Sequence, residues 1–516
     1  MNTFKEPFRS RALCAVLVLG ITVVESAGAD VILPWDNGAF MHEYEVIRNQ
    51  SVLDGEVADL PPVGPWWMSD YSSLTGNLDP VAVERIMSGA EEGEFRMFGI
   101  GSGRLHSESG RSPQDLLGLS AGMRYEASPN LGALVLMTLD REKALDPEYA
   151  GKKWRGLAGD IQSAALYYHR SHFKFTLGRQ RVWWGPQPIN LILSATGEPL
   201  DMVAAEYARG RLHFNFIFAR LDGSRPDSLD RIRYPDYDYE SDNRYLVGHR
   251  LDLRLHRGLR LGLFETSVFG GVGRPPELYY LNPLQFFHAA QLNENVNDNT
   301  FLGADLTWLP GWNLMAWGQL LIDDFQIDDQ VPGDQEPNEI GLMVGLQRAA
   351  RIGSWQPDIK LEYTRITNRT YHQTHPRNRY LYRNEPLGHP LGMDADSLAL
   401  AVSFRPSRYH SLSVEAAHSR HGEGSLFGPW EEPWLAGDEE YSESFPTGTV
   451  QKGLHIAFRV RGYLPMTTYT RHHLHISLEA GWADHTNRYH VVDQGEAGTW
   501  LKCSISWLGG LSASAQ

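Results

Sequence analysis

The chain has 516 residues, a formal charge of −16 and 42% hydrophobic residues. An acidic balance of this size disfavours generic binding to nucleic acid or to an anionic membrane surface. The mean hydropathy of −0.36 resembles that of a soluble protein, which is also what a membrane barrel gives when only alternate strand residues meet lipid.

At the N-terminus, Lys5, Arg9 and Arg11 precede an apolar run from Ala12 to Val24, followed by Ala27-Gly28-Ala29 and Asp30. This is the layout of a cleaved secretory signal over residues 1–29. The run falls short of the ~20 residues that carry a helix across a bilayer, and no later stretch is longer. If the mature chain spans a membrane, a closed barrel is the remaining structure that satisfies every backbone polar group.

Residues 30–94 read as a small periplasmic helical region interrupted by Pro61-Pro62, Pro65 and Pro80. Its best helix takes Asp79 as N-cap and Pro80 at the first position, with Val83, Ile86, Met87 and Ala90 on one face.

From 95 to 508 the pattern predicts an all-β fold, a transmembrane antiparallel β-barrel of about eighteen strands, each roughly 8 to 12 residues long. The clearest hairpin alternates Arg250, Asp252 and Arg254 with Leu251, Leu253 and Leu255, turns at His256-Arg257-Gly258, and resumes with Leu259, Leu261 and Leu263. Short connections are expected near 128–130, 170–172, 209–211, 256–258, 310–311, 406–409 and 462–465. Long ones are expected near 106–117, 142–158, 184–199, 222–243, 271–299, 323–338, 367–395, 419–450 and 483–498. Short turns then face the periplasm and long loops the outside. Trp183-Trp184, Trp308, Trp312, Tyr463 and Trp507 sit near strand ends, where an interfacial aromatic girdle is expected. Lys360, Glu362, His455, Arg459, His475 and Glu479 join Arg250 on the inward parity. A soluble sandwich would turn the same residues to water, so parity alone leaves both architectures open. Residues 509–516 read as a C-terminal tail.

Motifs for chemistry are weak. Gly118-Leu119-Ser120-Ala121-Gly122 fits a nucleophile elbow in letters, but it lies inside an alternating strand rather than at a strand-to-helix turn. Gly99, Gly101 and Gly103 lack the spacing and the following helix of a phosphate loop. His472, His473 and His475 alternate across a strand without further metal ligands at a recognised spacing. The acid pairs Asp323-Asp324 and Asp328-Asp329 and the run Asp438-Glu439-Glu440 read as solvated loops. Cys14 leaves with the signal, and Cys503, which shares its parity with Leu501 and Ile505, reads as a small apolar filler. The expectation is a protein that is not an enzyme and holds no cofactor or metal.

The loop 367–393 is more informative. Tyr371, Tyr380 and Tyr382 interleave with Arg377, Arg379 and Arg383, a mixture that suits an acidic polysaccharide: rings lie on the apolar faces of sugars and guanidinium forks grip carboxylates. Arg231, Arg233 and Tyr234 form a second such loop, while Trp430, Glu431, Glu432 and Trp434 form one of opposite charge. An ordinary loop packed over a barrel mouth explains the same residues.

The segment Gly178-Arg179-Gln180-Arg181-Val182-Trp183-Trp184-Gly185-Pro186, with Leu191-Ile192-Leu193-Ser194 and Pro199 after it, resembles the signature of the capsule-assembly Wzi family. Asn282-Pro283 after Tyr280-Leu281, and Asn299 with Leu302-Gly303-Ala304-Asp305-Leu306, resemble it as well. In two places the chain departs: Ala195-Thr196-Gly197 stand where the family tends to carry asparagines, and Gly509 to Gln516 stand where a terminal aromatic is expected. The resemblance implies an outer-membrane barrel of about eighteen strands with a periplasmic helical bundle, acting as a lectin that anchors capsular or extracellular polysaccharide. The expected partners are that polysaccharide and outer-membrane lipid, with no nucleic acid and a monomeric state. A porin-like diffusion channel and a secreted polysaccharide hydrolase are the competing readings.

Overall fold

Alternation at a period of two gives each strand one apolar and one polar face, and the computed structural model shows those strands closed into a single cylinder. The structure describes residues 38–55, 63–64, 94–146, 149, 151–224, 228–239, 242–325, 336–407, 409–435, 441–465 and 473–514. The expected signal, the helix capped by Asp79, and the acids Asp328-Asp329 and Asp438 to Glu440 lie outside the described residues.

A helix, α1 (Gly38–Asp54), precedes the barrel. The first six barrel strands are β1 (Glu94–Glu108), β2 (Gln114–Ser128), β3 (Leu131–Asp140), β4 (Leu157–Arg170), β5 (Phe173–Gln180) and β6 (Leu200–Arg209). Next come β7 (Leu212–Arg220), β8 (Asp242–His256), β9 (Leu259–Val272), β10 (Asn299–Gly311), β11 (Leu314–Asp324) and β12 (Glu339–Ala349). The last six are β13 (Asp358–Ile366), β14 (Ala395–Ser407), β15 (His410–His421), β16 (Gln451–Pro465), β17 (His473–Thr486) and β18 (Glu496–Ser514). Every neighbouring pair is antiparallel, and β18 returns to β1 from Glu94 opposite Ser514 to Glu108 opposite Trp500. The barrel therefore has 18 strands, and an even count leaves both ends of the wall on one rim.

Two-residue turns at Pro129-Asn130, Ser171-His172, Gly210-Arg211, Arg257-Gly258 and Trp312-Asn313 join strands at that rim. Trp312 and Asn313 both have positive φ, the geometry whose twist matches a right-handed hairpin. The connection 350–357 at this rim is longer and was not marked in the sequence. The nine long loops fall at the opposite rim within a few residues of their expected positions.

The closure corrects one boundary. Gly509 to Ser514 are strand, not tail, because the first half of β1 needs a partner: Gly509 lies opposite Gly99 and Leu511 opposite Met97. The girdle is also corrected. Trp308 and Trp312 are exposed near the short-turn rim, but Trp183, Trp184 and Tyr463 are buried. The tryptophan pair has left the wall for the lumen, where Trp183 and Trp184 pair with Gly64 and Val63.

The outer wall is apolar all round, with Leu119, Met123, Leu166, Leu263, Leu342, Val344, Leu361, Leu398, Ile456 and Leu501 exposed. That lipid-facing band excludes the soluble sandwich and with it the secreted-hydrolase architecture. Charges turn inward and pair. Arg250, wholly buried, grips Asp252 through Nε and Nη2 at 2.8 and 2.6 Å, and Asp305 through Nη1 and Nη2 at 2.5 and 2.9 Å. Arg459 bridges Glu415 at 2.7 Å and Glu479 at 2.8 Å.

Removing Arg250 strands two buried carboxylates. Arg250→Ala is therefore expected to destabilise the barrel by about 3–5 kcal/mol, read as a lower urea midpoint in detergent, with Asp305→Asn in the same chain restoring part of the loss. An unchanged midpoint for the single variant would show that the pair does not hold the wall.

Candidate functional site

The site begins where β5 stops. Gly178 has φ +134°, and a Cβ there would meet the Ala164 carbonyl oxygen at 2.1 Å, so only glycine lets β5 approach β4 at this bend. Two residues later the chain leaves the wall and dives inward. At Gly185, φ is +135° and a Cβ would meet Asn190 Oδ1 at 2.4 Å. Both signature glycines are thus requirements of the turn into the lumen.

Inside, segment 181–199 folds back on itself. The Trp184 amide donates to the Leu193 carbonyl at 3.0 Å, and Arg181 Nη1 donates to the carbonyls of Ala195 and Gly197 at 2.9 and 2.6 Å. Leu191, Ile192 and Leu193 are buried in the main apolar cluster together with Trp184, Phe301, Trp317 and Met343. From one rim α1 packs against this segment: Arg48 bonds Gln187, and the Arg48 guanidinium stacks on Trp317 at 4.6 Å. Glu45 of α1 meets Arg461 at 3.3 Å and Arg405 at 3.6 Å.

From the other rim loop 367–394 descends onto the same segment. Tyr371 donates its hydroxyl proton to the Leu191 carbonyl at 2.5 Å, and Tyr380 donates to the Ile192 carbonyl at 2.8 Å. Arg244 holds this loop by three of its carbonyls, those of Arg377, Arg379 and Leu381, at 2.7, 2.6 and 3.1 Å. Arg379 pairs with buried Asp230 at 2.8 Å. Luminal loop, descending loop and helix together form a plug. Along β1–β4 and β16–β18 the lumen keeps a polar crevice of about 640 Å³, lined by groups such as Arg104, Asp140, Arg181, Arg459 and Glu479.

The expected sugar-binding residues divide accordingly. Tyr371, Tyr380, Tyr382 and Arg379 are buried, so their rings and fork build the plug and have no face left for a sugar. That part of the expectation is corrected, because the loop that carries them points down the barrel. Arg231 and Arg233 are exposed, and Tyr234, Arg377 and Arg383 are half-buried. Three loop tips meet at the outer face. Tyr234 stacks with His375 at 4.5 Å, Arg377 lies over the Tyr237 ring at 5.5 Å, Arg231 over Tyr239 at 5.7 Å, and Arg233 Nη2 donates to the Trp430 carbonyl at 3.2 Å. Trp430 and Trp434 are buried beneath this face while Glu431 and Glu432 stay exposed. Arg383 stands apart, 3.8 Å from Glu198.

The other signature residues also serve the plug and loops. The Ser194 amide donates to the Leu387 carbonyl at 2.9 Å, Pro199 is buried, and the Pro186 carbonyl accepts from Tyr44 at 3.5 Å. Asn282 and Pro283 are exposed and shape a turn, with Asn282 Oδ1 accepting the Leu284 amide at 3.1 Å. This turn joins two short helices lying on the outside of β7–β9, where Tyr280 and Phe287 pack on Phe216, Tyr245 and Phe269. Arg244, Asp230 and Gln319 were not marked in the sequence. Gln319 accepts the Leu191 amide at 2.6 Å, yet nothing in its strand pattern separates it from any other inward glutamine.

Partial burial, with Arg377 and Arg233 beside it, lowers His375 to about 4. The ring is therefore neutral near pH 7, and the arginines carry the charge.

Residues 118–488 match the family described as capsule assembly protein Wzi. No curated protein matches the chain. Among solved structures it is similar to Wzi of Escherichia coli, described as an outer membrane protein involved in group 1 capsule assembly and as a carbohydrate-binding β-barrel. The identity is 14% and the TM-score 0.56, with 93% of this chain and 99% of that one covered. Pseudomonas aeruginosa OpdO matches at 10% identity and a TM-score of 0.46, covering 82% of this chain and 98% of that one. OprD of the same organism matches at 9% and 0.44, covering 85% and 100%.

Two outcomes follow. In Tyr371→Phe with Tyr380→Phe, two carbonyls lose their partners at about 1–3 kcal/mol each; the barrel should still migrate as folded on unheated gels but conduct more than wild type in a planar bilayer. Equal conductance would mean that these hydroxyls do not hold the plug. An unfolded histidine titrates near 6.5, above the folded value of about 4 for His375. The stabilising preference for its neutral form is present above the unfolded value and is lost as pH falls through this window. His375→Gln should flatten the acid limb of the unfolding midpoint between those values, and an unaltered limb would remove His375 as its cause.

Proposed function

Because the chain belongs to the capsule assembly protein Wzi family, we propose that it is an outer-membrane lectin that holds an acidic capsular polysaccharide at the cell surface and does no chemistry on it. The observation that carries this reading is the outer face itself, where Arg231, Arg233 and Arg377 stand beside Tyr234, Tyr237 and Tyr239 above a plugged lumen. Guanidinium forks match carboxylates in two-point contacts, and rings cover the apolar faces of pyranoses. The description of Escherichia coli Wzi as carbohydrate-binding supports the same chemistry.

Short-turn and long-loop rims orient the molecule, with α1 and the turns in the periplasm and the loop tips outside. The wall closes on itself, so a monomer suffices. A plug anchored from both rims favours an anchor over a porin-like channel, and the ligand stays outside the barrel.

The triple variant Arg231→Ala, Arg233→Ala, Arg377→Ala tests the reading without touching the plug. Charge-assisted hydrogen bonds contribute about 1.5–3 kcal/mol each, so binding of purified acidic capsular polysaccharide should fall by at least about tenfold. In cells lacking the wild-type gene, the variant should leave polysaccharide in the medium that wild-type protein keeps on the cells. Full binding by the triple variant would move the site elsewhere, and full cell association without any protein would remove the anchoring role.

A further inference from the structure

Among the described residues, the wall is incomplete between β4 and β5. β4 pairs with β3 from Ala158, opposite Asp140, to Tyr168, opposite Leu131. With β5 it pairs only from Ala164, opposite Arg179, to Arg170, opposite Phe173. Since β5 ends at Gln180, where the chain turns into the lumen, the described strands leave residues 159–163 without a ladder partner on that side, while Lys153 and Trp154 pair with Ala158 and Leu157. Side chains serve this edge instead: the Ile161 amide donates to Asp160 Oδ1 at 2.9 Å, and the Gly159 carbonyl accepts from the Tyr149 hydroxyl at 2.6 Å.

The notch opens beside the lipid-facing band. Leu119, Met137, Leu139 and Ile161 lie on neighbouring strands around it, all exposed. A short hairpin, Leu381–Pro386, stands in the gap. The Arg383 amide donates to Asp222 Oδ2 at 3.2 Å, and at the end of β5 Arg179 pairs with Asp201 at 2.5 Å. Between hairpin and wall lies a cavity of about 880 Å³, with a mostly apolar wall and a polar rim. An exposed strand edge at this height is costly in hydrocarbon, where nothing donates to it or accepts from it.

We propose that this notch binds an outer-leaflet glycolipid with an uncharged saccharide head. Its acyl chain lies along Leu119, Met137, Leu139 and Ile161, and its hydroxyls bond Arg179, Arg383, Asn384 and Glu385. The charge balance selects the head group: Lys143, Arg179 and Arg383 face Asp146, Asp160, Glu198, Asp222 and Glu385 in the lining. Most of the cationic charge is already committed, since Lys143 is paired with Asp160 and Glu198, and Arg179 with Asp201. A phosphate would meet a surplus of carboxylates. Sugar hydroxyls donate to carboxylates and accept from arginines, and the same groups can satisfy a strand edge. The outer-face reading plays no part in this inference, and soluble polysaccharide binding does not report on it.

The test is native mass spectrometry of the full protein released from nanodiscs containing glucosyl-diacylglycerol and phosphatidylglycerol in equal amounts. Wild type should retain one glucosyl-diacylglycerol. Gly159→Trp, which fills the notch, and Arg383→Ala, which removes a donor from an outer loop, should each lower retention by about tenfold. Leu342→Trp on the far wall should not. Folding is checked for each by migration on unheated gels, and the loop variant keeps the test alive if the wall variant fails to fold. Equal retention of phosphatidylglycerol, equal retention by the folded variants, a co-purified polypeptide in place of lipid, or no retained lipid at all would each overturn the proposal.

Discussion

A bilayer offers no partner to a backbone amide or carbonyl, and that constraint organises the whole molecule. It demands that β18 meet β1 along the full length of β1, which is why Gly509 to Ser514 are strand. It sends leucines outward and sends Arg250, Asp252 and Asp305 into the lumen, where they satisfy one another. Once the wall is committed to hydrogen bonding and lipid contact, specificity is left to the loops and the lumen.

The lumen is filled by the chain's own long connections. A barrel of this size would leave an aqueous path if its loops stayed outside. Here a glycine bend at Gly178 diverts the chain inward, two tyrosine hydroxyls pin the diverted segment from above, and α1 braces it from below. The same bend shortens β5 and leaves part of β4 unpaired, so the plug and the notch in the wall have one cause. The plug also carries load for the outer face, because Arg244 and the pair Arg379–Asp230 hold the loop whose tip places Arg377 and His375.

Tyrosine and arginine in one loop had two meanings in the sequence, a sugar-binding surface and a packed cover, and the structure assigns both within a few residues. Tyr371, Tyr380, Tyr382 and Arg379 are packed; Arg377 and, from another loop, Arg231 and Arg233 reach the face. Composition does not separate them, since rings and forks serve a buried carbonyl or carboxylate as well as a saccharide. Trp183 and Trp184 were misplaced for the same reason: tryptophan suits an interface and an apolar core alike, and only the diversion at Gly178 decides between them.

By itself the sequence determined the barrel, its rims, and which side of each strand meets lipid, because a period of two and the rhythm of turns are local properties that neighbouring residues impose on one another. The family signature was legible for a similar reason, being short and contiguous. What the tertiary structure alone decided is where the long loops go. Whether Tyr380 faces a sugar or the Ile192 carbonyl depends on a contact between residues 188 positions apart, and no local pattern encodes a contact across an empty cylinder that the chain itself must fill.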